Sequence, residues 1–349
     1  MITQRLLKNK KNSFMKYVSG IVLITFVLAV FPAFSAAGGG DGNSQGSRFS
    51  YADIAMGTIV RLTLIHDDER EADNAAKLAF STIRDWQQDV DHRFREGSVG
   101  RVNEAAGNMP VVVSDRAARL LERALDFCLK SAGVFDISIG AISTRPEYFR
   151  TEPAPEQRKL VDFTKIELNS ETNSVFLPEK GMALDLGGLA KGSIIDAVVS
   201  TLKKQGIQSG IVEGGGDFYC FGPRTWRCGL QHPRKDELLG VIEVQNRAIC
   251  GSGDYRQFVI TEEGGKKKRK HHILDPATGD SARKSISVTT VAATAELADA
   301  LATTLLIMGP EEGRIFLDEN YPDASALWVL PDLTVQKTAN FPPIRRPVR

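Results

Sequence analysis

Cysteine is sparse in this chain, and no pattern of it would hold a metal. Cys128, Cys220, Cys228 and Cys250 match no zinc spacing. HExxH, the mark of zinc peptidases, is absent, as is a cysteine nucleophile motif. Neither a GxxxxGK[ST] loop nor a GxGxxG fingerprint occurs. Charge of one sign is not in excess either: 44 Lys and Arg face 43 Asp and Glu, a formal net charge of +1, so nucleic acid is a poor partner. No internal repeat divides the chain. Apolar residues are not lacking, at 42% of 349, so a sizeable core can form and a disordered chain is excluded.

The long apolar run lies at the N-terminus. Arg5, Lys8, Lys10, Lys11 and Lys16 precede "YVSGIVLITFVLAVFPAF", and "SAAGGG" follows. Basic, apolar, then small is the order of a secretory signal, with cleavage expected near Ala36 or Ala37. The run also suffices for a membrane span, so residues 1–35 read as a signal peptide or as an N-terminal membrane anchor. No cysteine stands at its end, which excludes a lipoprotein anchor. Without this segment the net charge becomes roughly −4. Residues 36–50 read as a Gly/Ser linker and 51–340 as one domain. In an oxidising compartment Cys220 and Cys228, which flank "FGPRTWR", could pair as opposed residues of a hairpin; Cys128 reads as core.

Within the domain, "GTIVRLTLI" alternates as a strand does. Over residues 70–94, Ala79, Ile83, Trp86, Val90 and Phe94 recur at helical spacing. A second helix starts at the N-cap Ser114 and stops at Gly133. The short apolar piece "MALDLG" leads as a strand into "GLAKGSIIDAVVSTLKKQG", a helix burying Ile194, Ile195, Val198 and Leu202 and ended by Gly206. The runs "SGIVEGGGDFYCFG", "WRCGLQ", "LLGVIEVQ" and "AICGSGDYRQFVI" follow. Strands and helices without regular βαβ alternation predict an α+β fold with mixed or antiparallel sheets packed with helices. The basic run "KKKRKHH", residues 266–272, reads as a solvated hairpin tip or as a surface for an anionic ligand or a membrane.

Several stretches could carry chemistry. "DLGGLAKG", Asp185 to Gly192, puts glycines and a helix N-terminus where a phosphate could approach, with Lys191 as a cation; a purely steric turn fits as well. "EGGGDF" sacrifices packing, so something bulky, a ring system or a neighbouring helix, is expected against it. Asp299 and Thr303 share a face of "ELADALATTLLIMG" and offer oxygen to a hard cation such as Mg²⁺; an exposed helix face is the plainer reading. "HHILDPATG" offers His271, His272 and Asp275; a histidine here has the side chain best suited to take a proton near neutrality, or is simply a hairpin histidine.

Taken in order, "MGTIVRL", "GSVGRVN", "GVFDISIG", "DLGGLAKG", "IVEGGGDFYCFG", "CGSGDYRQF", "HHILDPATG" and "ADALATTLLIMG" resemble the ApbE family of exported flavin transferases, over about residues 53 to 335. The resemblance implies an enzyme that takes FAD as substrate with Mg²⁺, passes FMN to a Thr or Ser hydroxyl of an acceptor protein and releases AMP. It implies that Met56, Phe94, Val134, Phe135, Asp136, Asp185, Gly188, Lys191 and His272 line the FAD site. It implies that the Gly188 carbonyl, Asp299 and Thr303 ligate the metal, and that His272 is the base, with Asp275 as its positioning partner or alternative. It places the protein in the periplasm or on the outer face of the inner membrane, beside redox complexes of the Rnf or Na⁺-translocating NADH:quinone reductase type. Two other outcomes suit the same residues: a metal-dependent FAD pyrophosphatase giving FMN and AMP, and a non-catalytic FAD-binding protein. Phe94 stands where many members have tyrosine.

Overall fold

The structure, a computed structural model, describes residues 46–146, 148–263 and 266–346. The expected signal peptide or anchor, residues 1–35, lies outside the described residues. In chain order the elements are β1 (Ser47–Ala55), β2 (Thr58–His66), α1 (Glu69–Val90), α2 (Ser98–Glu104), β3 (Val111–Val112), α3 (Asp115–Lys130), α4 (Gly140–Ser143), α5 (Pro155–Arg158), β4 (Glu167–Asn169) and β5 (Ser174–Phe176). Then come α6 (Ala190–Lys204), β6 (Ser209–Gly214), β7 (Asp217–Phe221), β8 (Trp226–Gln231), β9 (Leu238–Val244), β10 (Arg247–Gly253), β11 (Phe258–Glu263), β12 (Lys266–His271), β13 (Ser287–Ala292), α7 (Ala295–Asn320), β14 (Ser325–Val329) and β15 (Val335–Lys337).

Eight strands form one sheet in the order β1-β2-β6-β7-β10-β13-β14-β15, antiparallel throughout. The expected α+β class holds, with purely antiparallel pairing in this sheet. Its centre is buried on both faces, as β14 shows: every residue of "SALWV" is buried. Ala326 and Trp328 join the larger core, which the helices cover. Leu327 and Val329 join a second core shared with Trp226, Leu230, Ile242 and Val244 of the β8–β9 pair. One sheet thus sits between helices and a small hairpin.

Several expectations need correction. β1 begins at Ser47, so the end of the assigned linker, residues 36–50, belongs to the sheet; β1 pairs with β2 along its whole length. Helix α1 stops at Val90 rather than reaching Phe94. Asp91 ends it by accepting the Arg93 N–H and binding its guanidinium through Nε at 2.9 Å and Nη2 at 2.6 Å. "MALDLG" is no strand but an extended segment with a single parallel bridge, Ile139 to Ala183. "AICGSGDYRQFVI" is two strands in two sheets, β10 and β11. "KKKRKHH" is no solvated tip: it forms β12 against β11, with Lys270 and His271 buried. Cys220 and Cys228 are not partners in one hairpin. The chain turns a corner between them, so they face each other across two packed sheets, both buried as free thiols with Sγ atoms 3.5 Å apart.

Other readings match. Ser114 caps α3, its Oγ accepting the Ala117 N–H at 3.1 Å. α6 buries Ile194, Ile195, Val198 and Leu202. Among the described residues no helix is long and apolar enough to cross a membrane.

Candidate functional site

Two helix beginnings meet at the sheet. Asp196 of α6 accepts the backbone N–H groups of Ala295 and Glu296, both at 2.9 Å, and so holds the first turn of α7. In return Asp299 of α7 accepts the Gly192 N–H at 3.0 Å through Oδ2, where an unpaired helical N–H favours an anion. Contact this close requires glycine: a Cβ at Gly192 would lie 2.1 Å from the Ala295 carbonyl oxygen.

Asp299 is therefore not on an exposed helix face; it is 3% exposed. Its Oδ1 accepts a hydrogen bond of 2.8 Å from Lys191 Nζ, and the same ammonium lies 3.0 Å from Oδ2 of Asp217, a residue 1% exposed. Burial works against the charge on Lys191, but the two carboxylates outweigh it and hold its pKa above the ordinary lysine value. Burial pushes the Asp299 pKa up; Lys191 opposes this and the Asp217 charge adds to it. Two buried carboxylates share one ammonium, so a negative charge stays uncompensated. That imbalance is what a bound cation corrects.

The oxygen donors fit a hard cation. Thr303 lies one turn beyond Asp299, its Oγ1 3.4 Å from the Ser252 hydroxyl of β10. Gly188 passes beside it: a Cβ there would sit 3.5 Å from Thr303 Cγ2 and 2.8 Å from the Phe135 ring. A carboxylate, a hydroxyl and a carbonyl suit Mg²⁺ with waters and substrate phosphate completing the shell. No cluster of three His, Cys, Asp or Glu side chains able to hold a metal occurs among the described residues. Cys250, at the back of the site, is fully buried, and burial raises its thiol pKa well above normal, which disqualifies it as a nucleophile.

The remaining residues form walls. Met56, at φ 53°, hydrogen-bonds through its N–H to Gln87 Oε1, and its side chain covers Gly214. The glycine cluster has a simpler origin than a bulky ligand. Gly215 and Gly216, at φ 63° and 87°, make the two-residue turn of the β6–β7 hairpin, and Arg256 donates to the Gly215 carbonyl. Phe135 is buried and packs edge-on against Phe127, with Val134 beside it half-buried. Asp136, beside Phe135 in the chain, is tied to the scaffold by hydrogen bonds. Its Oδ1 accepts from the Ser138 N–H and hydroxyl and its Oδ2 from the Phe163 N–H, so it braces the wall from behind. Asp185 takes the Ser143 hydroxyl and the Gly187 N–H, with His92 Nδ1 at 3.8 Å. Phe94, in the turn after α1, keeps 37% exposure, a ring free to stack.

The two histidines separate cleanly. His271 is buried, its Nε2 facing the Ala282 carbonyl at 2.8 Å while its Nδ1 accepts the Ile273 N–H. Half-buried His272 turns Nδ1 to the Gln257 carbonyl at 3.3 Å. A carbonyl only accepts, so Nδ1 carries the proton and Nε2 keeps the lone pair. Burial, with His271, Arg256 and Lys191 adding positive charge nearby, pushes the His272 pKa down to about 4, so it is neutral at ordinary pH. Asp275 is no partner of it: its Oδ1 accepts the Ala277 N–H, and its main chain closes the turn to Gly279 and Asp280. Sequence reasoning missed Asp217, Ser252, His92 and Gln257. Only Asp217 carried a signal, as a lone acid directly after a glycine turn.

Known proteins share this sequence pattern and this fold. The FAD:protein FMN transferase of Treponema pallidum is 30% identical over 86% of this chain and 89% of its own length, and that of Klebsiella pneumoniae is 31% identical over 80% and 89%. The crystal structure of the ApbE protein from Thermotoga maritima superposes with a TM-score of 0.77 at 27% identity, over 84% of this chain and 98% of that one. The flavin transferase ApbE from Vibrio cholerae, at 22% identity and a TM-score of 0.71, shares the fold. The ApbE family model matches residues 56–328, most of the described domain, and the chain belongs to the ApbE family.

Proposed function

We propose that this chain is a Mg²⁺-dependent FAD:protein FMN transferase, joining FMN from FAD to a Thr or Ser hydroxyl of an acceptor protein with release of AMP. The observation that carries the reading is the uncompensated carboxylate charge where Asp299 and Thr303 of α7 meet Gly188 and Lys191 at the start of α6. Asp299, Thr303 and the Gly188 carbonyl would hold the metal, which when bound neutralises diphosphate charge and makes phosphorus open to attack. Lys191, at the positive end of α6, binds and orients the phosphate oxygens. Phe94 and Met56 flank the flavin end, and Asp185 fixes the loop that carries Gly187. His272 Nε2 takes the proton of the acceptor hydroxyl as its oxygen bonds to phosphorus; the bond from that phosphorus to the bridging oxygen breaks, and AMP leaves.

The basic, apolar, small-residue order of residues 1–35 supports export. We therefore place the reaction in the periplasm or on the outer face of the inner membrane, on an exposed subunit of a redox complex of the Rnf or Na⁺-translocating NADH:quinone reductase type. The test mixes the chain, FAD, Mg²⁺ and such a subunit. Acceptor that keeps flavin fluorescence after denaturation and gains the mass of FMN, with one AMP per transfer, is expected. Free FMN with AMP and an unmodified acceptor would reduce the activity to hydrolysis, and FAD bound without AMP would leave only a carrier.

A further inference from the structure

Lys191 cannot serve a cation site as it stands, because its ammonium occupies the Asp299 oxygen that a cation would need. Like charges on one carboxylate oxygen repel, so a cation arriving at Asp299 requires the ammonium to be held elsewhere. One acceptor lies within reach. Asp217 opens β7 immediately after the glycine turn and is 1% exposed. Its Oδ1 is pinned by the Gly251 N–H at 3.0 Å. Its Oδ2 has no hydrogen bond: Lys191 Nζ stands 3.0 Å away but out of hydrogen-bond alignment. Buried carboxylate oxygens are seldom left so.

We propose that Asp217 is a positioning residue of the cation site, one that takes over the Lys191 ammonium when Asp299 turns to the cation. The inference rests on the reading that Asp299 holds a metal. A small pivot of the lysine stem about its buried base brings Nζ into line with Asp217 Oδ2, releases Asp299 Oδ1 and keeps the ammonium at the cleft, beside the phosphates it is to bind. The rigid hold of Gly251 on the other Asp217 oxygen makes this acceptor stationary, so the lysine moves between two fixed points.

The experiment measures Mn²⁺ binding to the chain without flavin, by calorimetry, in the unaltered protein, Asp217→Asn, Lys191→Met, the double variant and Asp299→Asn. Asparagine keeps an oxygen for the Gly251 N–H, and a melting curve for each variant confirms folding; Lys191→Gln replaces Lys191→Met should the latter not fold. With Asp217→Asn the lysine competes for Asp299, so Mn²⁺ binds about tenfold more weakly, whereas without Lys191 the same substitution costs less than about threefold. No loss in Asp217→Asn, or a loss of equal size in both backgrounds, overturns the proposal and leaves the metal reading intact. An unaltered chain that binds no Mn²⁺, or binds it as well with Asp299→Asn, overturns both.

Discussion

The residue on which most depends is Asp299, whose place was only half legible. Its spacing from Thr303 put two oxygen donors on one helix face, but an exposed face satisfied the same pattern. Burial at 3% and contact with the α6 N-terminus decide otherwise. Asp299→Asn is expected to lower the transfer rate by about a thousandfold, in line with loss of a metal or charge-stabilising group. Phe94→Ala should mainly raise the KM for FAD, by about fivefold, as a lost aromatic stack of about 1 kcal/mol implies; steady-state kinetics on both variants checks the contrast. For His272 the active form is the neutral ring. With its pKa pushed down to about 4, kcat/KM should stay independent of this group from neutral pH down to about 5 and fall as protonation sets in near 4. A loss centred near 6.5, removed by His272→Gln, would mean that the ring is not held as described. The imidazole's identity was readable in "HHILDP"; which of the two histidines is free was not, because it depends on the carbonyls of Ala282 and Gln257.

At the scale of elements, helices α3 and α6 followed from local rules: a serine cap, apolar residues three and four apart, and a glycine stop. Strand assignments fared less well wherever a turn interrupted an apolar run. "SGIVEGGGDFYCFG" reads as one strand until two positive-φ glycines split it into a hairpin. The contact between α6 and α7 is the element-level feature that positions the site. Gly192→Ala places a methyl against the Ala295 carbonyl and should cost about 1–3 kcal/mol, read as a lower denaturation midpoint together with weaker Mn²⁺ binding, since the Gly192 N–H holds Asp299. Removing the cap of α7, where Thr294 Oγ1 accepts the Leu297 N–H at 3.2 Å, should cost only about 1 kcal/mol and leave Mn²⁺ affinity unchanged. A large loss of affinity in Thr294→Ala would show that the helix start is held mainly by its own cap rather than by Asp196.

For the whole molecule, the central sheet makes one cooperative unit of its two cores. Trp328 is fully buried among the helices and gives its indole N–H to the Leu305 carbonyl at 3.0 Å. Trp328→Ala should destabilise the protein by about 3–5 kcal/mol, and chemical denaturation should show a single transition shifted as one. The sequence by itself determined the α+β class, helices α3 and α6, and the run of motifs from "MGTIVRL" to "ADALATTLLIMG" that marks the family, because periodicity, capping and turn chemistry act over a few residues. Only the tertiary structure decided that Lys191, Asp217 and Asp299, spread over more than a hundred positions, share one buried point. It also decided which backbone groups Asp136 and Asp275 bind, that the lysine-rich run is a strand, and that Cys220 meets Cys228 across sheets. The reason is physical: a residue's charge state and partners are set by what long-range packing excludes water from, and no local pattern carries that information.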